Sequence, residues 1–129
     1  MDQLPLKIRT AIGVCRFTVE VARTPQEQEL GLSFRQALHP EMGMIFPQPR
    51  PRVISLWMKD VLIPLDIIFI RPDATITRVA ANRTPLSLDP VSSGEQVDAV
   101  LEIAGGRASE LGIAAGDQVD WAGTRSVSG

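Results

Sequence analysis

The segment Leu65-Asp66-Ile67-Ile68-Phe69-Ile70 constrains this chain more than any other. In an extended strand, residues 65, 67 and 69 point to one side and 66, 68 and 70 to the other. Both sets are apolar apart from Asp66, so the sequence predicts a central strand covered on both faces. Pro64 precedes it, and Arg71-Pro72-Asp73-Ala74 closes it with proline where a turn accepts it. A carboxylate on such a strand must be hydrogen-bonded or ion-paired, because burying it bare is too costly. Lys59, Arg35 and backbone N–H groups near Ile63-Pro64 are its candidate partners. Asp66 either fixes a bend by capping backbone donors or lines a pocket with Lys59.

The rest of the chain reads as short strands around that centre. Leu6, Ile8 and Ile12 alternate with Lys7, Arg9 and Ala11, and Gly13 permits a turn. Cys15, Phe17, Val19 and Val21 then share one face, with Arg16, Thr18 and Glu20 on the other. Thr24-Pro25-Gln26-Glu27 has the form of a capping box with proline at the first helical position, and Gly31 ends that short helix. Residues 32–42 read as irregular, and Gly43 to Phe46 as a strand. Pro47-Gln48-Pro49-Arg50-Pro51 reads as a stiff exposed loop, since three prolines remove ladder donors. Val53 to Met58, Thr75 to Ala81, Val97 to Ile103 and Asp117 to Trp121 read as strands, the third with Val97, Ala99, Leu101 and Ile103 alternating with Asp98 and Glu102. Gly105 to Leu111 reads as a second short helix ended by Gly112. Residues 82–96 form a loop rich in Pro, Ser and Asp. The fold class expected is mostly β: one domain over residues 1–129, a barrel-like or sandwich sheet of about seven or eight short strands with two short helices. Residues 1–5 and 123–129 are expected to fray.

Composition excludes several function classes. The 129 residues suffice for one core. The 13 basic and 15 acidic residues are scattered, with Arg50 and Arg52 the nearest to a cluster, so no nucleic-acid partner is expected. No apolar run reaches the length of a membrane span. The N-terminus lacks a basic-then-apolar signal; the expectation is an exported or periplasmic protein if the chain is a trimmed mature form, and a cytoplasmic one otherwise. One cysteine allows no internal disulfide, and Cys15 is expected to be a buried, inert thiol. One histidine, His39, stands before Pro40 in a loop and makes neither a triad nor a metal cluster. No metal, no cofactor and no catalytic set are expected: the phosphate loop, the nucleophile elbow and metal-ligand spacings are all missing.

Four blocks carry a family resemblance. They are Glu29-Leu30-Gly31-Leu32-Ser33-Phe34-Arg35, Gly43-Met44-Ile45-Phe46, Trp57-Met58-Lys59-Asp60-Val61-Leu62-Ile63-Pro64 running into the Leu65–Ile70 strand, and Val100-Leu101-Glu102-Ile103-Ala104-Gly105-Gly106 with Gly112-Ile113 and Gly116-Asp117 beyond. From about Val19 to Val119 the chain resembles domain-of-unknown-function family 192, small conserved proteins mostly of bacteria and archaea. The resemblance implies fold and site position; the family has no established activity, and members often carry an export signal. Two positions depart from it, with Ser33 where the family has methionine and Asp60 where it has asparagine.

The function expected is a non-catalytic binding or accessory domain, its cleft formed by Arg35, Trp57, Lys59 and Asp66, its partner a small ligand or a protein. The residues specify no oligomeric state. One alternative is a small enzyme using Lys59 and Asp66 as acid and base. Another is a PDZ-like peptide-binding module, from the run Arg107 to Asp117, which would precede a strand there too. Trp57 and Met58 must point to opposite sides of their strand, so either core packing covers both sides or one of the two forms the floor of a cleft. Asp117 is expected to serve a turn.

Overall fold

The computed structural model describes residues 1–124. Its main sheet has seven strands: β1 (Gln3–Thr10), β2 (Gly13–Val21), β3 (Met42–Arg52), β5 (Leu65–Ile70), β6 (Ile76–Arg83), β8 (Val97–Ala104) and β9 (Gln118–Trp121). They run in the order β6-β5-β8-β3-β2-β1-β9. Every pairing is antiparallel except β2 with β3, where α1 (Pro25–Leu30) and the irregular residues 32–41 make the crossover. Two short strands, β4 (Ser55–Leu56) and β7 (Val91–Ser92), pair separately, and α2 (Arg107–Leu111) lies between β8 and β9. The main sheet curls until its two edges touch. Thr75 bridges Gln118, and the Val119 N–H donates to the Ala74 carbonyl. The barrel-like expectation therefore holds as a curled half-barrel closed at one end, with a small second sheet beside it.

Alternation fixes two cores. The inner face gathers Ile8, Val19, Ile45, Ile68, Leu101 and Ile103 with others from every main strand, and Ala108 and Ile113 plug one end. The outer face of β3, β5 and β8 carries Met44, Phe46, Leu65, Ile67, Phe69 and Val100, roofed by Leu32, Ile54, Met58 and Val61. All six residues of β5 are buried, as its sequence requires of a doubly covered strand.

The proline-rich segment departs from expectation: it continues β3 as extended chain to Arg52 instead of looping out. The reason lies in which side lacks donors. The Ala22 N–H donates to the Ile45 carbonyl and the Gln28 side-chain amide to the Pro47 carbonyl, so residues 45 and 47 turn away from β8. The pairing of β2 stops at Ile45, so the missing proline N–H groups fall on an edge that needs no ladder bonds. On the other side the register with β8 shifts between Pro47 and Arg52. The expected strand Val53 to Met58 shrinks to the two residues of β4, and the loop 82–96 contains β7. At the N-terminus, Gln3 to Pro5 pair with β2 instead of fraying. The fraying expected at 123–129 lies outside the described residues from position 125 onward; before that, the Thr124 N–H bonds the Trp121 carbonyl.

The helix α1 starts where the sequence places it. Thr24 Oγ1 accepts the Glu27 N–H at 3.1 Å, and Glu27 Oε1 accepts the Thr24 N–H at 3.0 Å. A six-residue helix with no buried side chain has little else to hold its first turn. Thr24→Ala should lower stability by about 1 kcal/mol, read from urea denaturation midpoints; unchanged stability would show that the cap is dispensable.

Candidate functional site

Asp66 is fully buried, facing the inner core beside Ile68. Its carboxylate is met by backbone. Oδ1 accepts the Asn82 N–H at 2.8 Å and the Gly106 N–H at 3.1 Å, and Oδ2 accepts the Ala108 N–H at 2.8 Å. Two of those donors belong to the start of α2, whose N-cap is Gly106, a residue with no side chain to cap with. Asp66 supplies that cap from the neighbouring strand. Glycine is needed at 105 because a Cβ there would stand 2.7 Å from Asn82 Oδ1 and 2.9 Å from the Pro64 Cβ. This is the structural role anticipated for Asp66, with different donors.

The four sequence-derived site residues do not converge. Asp66 points into the barrel, while Trp57 and Lys59 line a cleft over the outer face. Arg35 is drawn off by Glu20, with Nη1 and Oε2 at 2.5 Å. Trp57 is not core: the residue is 53% exposed, whereas Met58 beside it is buried, so the two do point to opposite sides. The Lys59 ammonium lies 5.5 Å from the centre of the Trp57 ring, a cation–π contact. Cys15 is half-buried rather than buried, with Sγ 4.0 Å from the Leu111 carbonyl, and burial raises its thiol pKa. His39 is exposed, its Nδ1 accepting the Glu41 N–H. Asp117 serves the turn before β9, accepting the Ala114 N–H at 2.8 Å. Asp60 has φ 63°, a left-handed conformation that both Asn and Asp adopt more readily than most residues, and its carbonyl accepts the Phe34 N–H.

The cleft that holds Trp57 and Lys59 contains about 230 Å³. The C-terminal turn of α1 forms one wall, residues 55–61 the other, and Phe46 and Glu102 line it from the sheet. Glu102 is the residue that sequence reading passed over. Pairing sets Glu20, Met44, Glu102 and Ile67 in one row across four strands, all on the outer face. Glu102 is only 8% exposed, and burial alone pushes its pKa up to about 7. Among the described residues its carboxyl group has no hydrogen-bond or ion-pair partner. An acid inside a strand that pairs on both sides with covered strands cannot have a solvent face. Ser33, the departure from the family's methionine, also lines this cleft.

A second cleft of about 250 Å³ lies near Gln48, Arg71 and Trp121. Its polar groups are committed: Gln48 bonds Gln28 and Arg52, and Arg71 bonds Glu95 and Thr75. Among the described residues, no three His, Cys, Asp or Glu side chains are placed to hold a metal. No described helix is long and apolar enough to cross a membrane.

Residues 7–121 match DUF192, the family described as an uncharacterized ACR. No curated protein matches the chain. A solved structure from Sinorhizobium meliloti 1021, described as a candidate transcription regulator, is 35% identical with a TM-score of 0.91, over 94% of this chain and 95% of that one. A protein of unknown function from Novosphingobium aromaticivorans DSM 12444 is 42% identical with a TM-score of 0.90, over 92% of this chain and 85% of that one.

The Asp66 geometry makes a direct prediction. Asp66→Asn puts an amide N–H₂ against backbone N–H donors and loses at least one charge-assisted bond, so stability should fall by roughly 3 kcal/mol. Denaturation midpoints check this; an Asn variant as stable as the parent would contradict the capping role.

Proposed function

The chain belongs to the DUF192 family, and from that premise we propose that it is a non-catalytic binding domain whose ligand, a small molecule or a group on a protein partner, enters the cleft between α1 and residues 55–61. The observation that carries this reading is Glu102. The residue is buried while its carboxyl oxygens keep a small opening to the cleft; a carboxyl group so poorly hydrated and without a protein partner is a cost to the fold, and an incoming donor group would remove that cost. The surroundings support a binding site. Leu32, Phe46, Leu56 and Val61 supply apolar lining, and Leu30 and Trp57 stand about half exposed at its edge. The separation of Asp66 from Lys59 favours binding over an acid–base pair, since catalysis by the two would need them in reach of one substrate.

The S. meliloti relative's description as a candidate transcription regulator raises nucleic acid as a partner. In this chain the net charge of −2 and the scattered basic residues support a reading without it.

A fragment screen by thermal shift, with amide NMR mapping of the hits, tests the proposal. Hits should perturb Leu32, Phe46, Trp57 and Glu102. Ser33→Trp, which fills the cleft from its half-exposed wall, should abolish their binding while leaving the melting temperature of the free protein nearly unchanged. Hits that bind the Trp variant equally well, or that map to other surfaces, would contradict the proposal.

A further inference from the structure

The chemistry of the cleft narrows what it can hold. Glu102 is more than nine-tenths buried and lines the cleft with its carboxyl group unpartnered among the described residues. An anion brought beside it would add repulsion to desolvation, and a purely apolar group would leave the carboxyl unsatisfied. The groups around it point the same way. Glu29 lines the same cleft. The last turn of α1 carries no basic residue, so the carbonyl end of that helix is left without a cation of its own. Lys59 is the one cation lining the cleft among the described residues, and its ammonium sits against the Trp57 ring. That ring shows the mouth to be a surface on which a positive charge is at ease. Leu32, Phe46, Leu56 and Val61 would surround methylene groups.

We propose that the Glu102 cleft receives a primary ammonium or guanidinium group at the end of an unbranched alkyl stem, the cation reaching Glu102 and the stem lying along the apolar walls. This rests on the reading of the cleft as a binding site and names the ligand class for it. The same chemistry is offered by a free alkylamine and by a lysine or arginine side chain of a protein partner.

Protonation sets the pH range. The groups facing Glu102 are Glu29 on the α1 side, Lys59 on the 55–61 side, and Met44 and Ile67 on the flanking strands; Glu20, beyond Met44, is paired with Arg35. Burial holds the free Glu102 near a pKa of about 7, so an ammonium must displace its proton below that pH. Affinity should then fall by ~tenfold per pH unit below the midpoint.

The test is an amide NMR titration of the full chain at pH 8 with n-butylammonium chloride, and with 1-butanol as a neutral probe of similar shape. Butylammonium should shift Leu32, Phe46 and Glu102 at concentrations at least ~tenfold below those butanol needs, and Glu102→Gln should erase the difference. A second arm uses Nα-acetyl-lysine N-methylamide. Binding of this probe as tight as butylammonium assigns the cation to a protein side chain, and binding of butylammonium alone assigns it to a free amine. Equal binding of butanol and butylammonium overturns the ligand class and leaves the cleft a binding site. So does a Glu102→Gln variant that keeps the preference, or a cleft that ignores both probes yet takes other fragments. A cleft that takes neither probe and no fragment overturns both proposals.

Discussion

Three backbone N–H groups on one buried carboxylate hold one end of this half-barrel together. Asp66 takes one from β6 and two from the start of α2, and so fixes both elements to the central strand with one side chain. Without it, the donors opening α2 would be buried with no acceptor, because the N-cap residue is glycine. Gly105 permits the close approach of that turn to Pro64 and Asn82, and Gly106 beside it has no side chain to act as a local cap. The two features require each other: the tight glycine turn needs an acceptor from elsewhere, and the polar residue on β5 needs donors. With α2 pinned, Ala108 and Ile113 close the inner core.

Much of this was legible in the sequence, because it depends on local pattern. The two-faced apolar character of Leu65–Ile70 predicts a doubly covered centre, and the Thr24–Glu27 capping box predicts where α1 starts. The proline run misleads because the argument from lost donors holds only where a neighbouring strand requires them. Where β2 ends depends on tertiary pairing, which no local pattern displays. The candidate site fails for a related reason. Asp66, Lys59 and Arg35 look like one charged group along the chain, yet strand parity sends Asp66 inward while Lys59 stays outside, and Glu20 claims Arg35. Glu102 was hidden by alternation itself. Asp98 and Glu102 read as a solvent-facing set, and only the strands on either side of β8, with α1 and residues 55–61 packed over the outer face, make that position a buried one.

The two acids make an instructive pair. Both are buried on adjacent central strands, yet one is fully met by backbone donors and the other by none among the described residues. Asp66 is explained by the fold it supports. Glu102 has no such explanation, since a leucine of similar size would avoid the desolvation and a glutamine would avoid the buried charge. A costly group that the fold does not use is where binding is best sought, because stability surrendered at a site is commonly recovered when a partner arrives.

The central claim is therefore that Glu102 destabilises the ligand-free fold once it ionises, and the pH dependence of stability tests it directly. Its pKa rises from the ordinary value of 4.5 to about 7 on folding, so the folded state holds the proton more tightly than the unfolded chain. The contribution of Glu102 to stability is then greatest below pH 4.5, falls as the unfolded chain ionises first, and levels off above pH 7, a loss of roughly 3 kcal/mol over the window. Urea denaturation of the parent and of Glu102→Gln across pH 4 to 8 isolates this contribution. The account predicts that the parent loses stability relative to the glutamine variant by roughly that amount as pH rises through the window. A difference between the two proteins that stays constant with pH would contradict it.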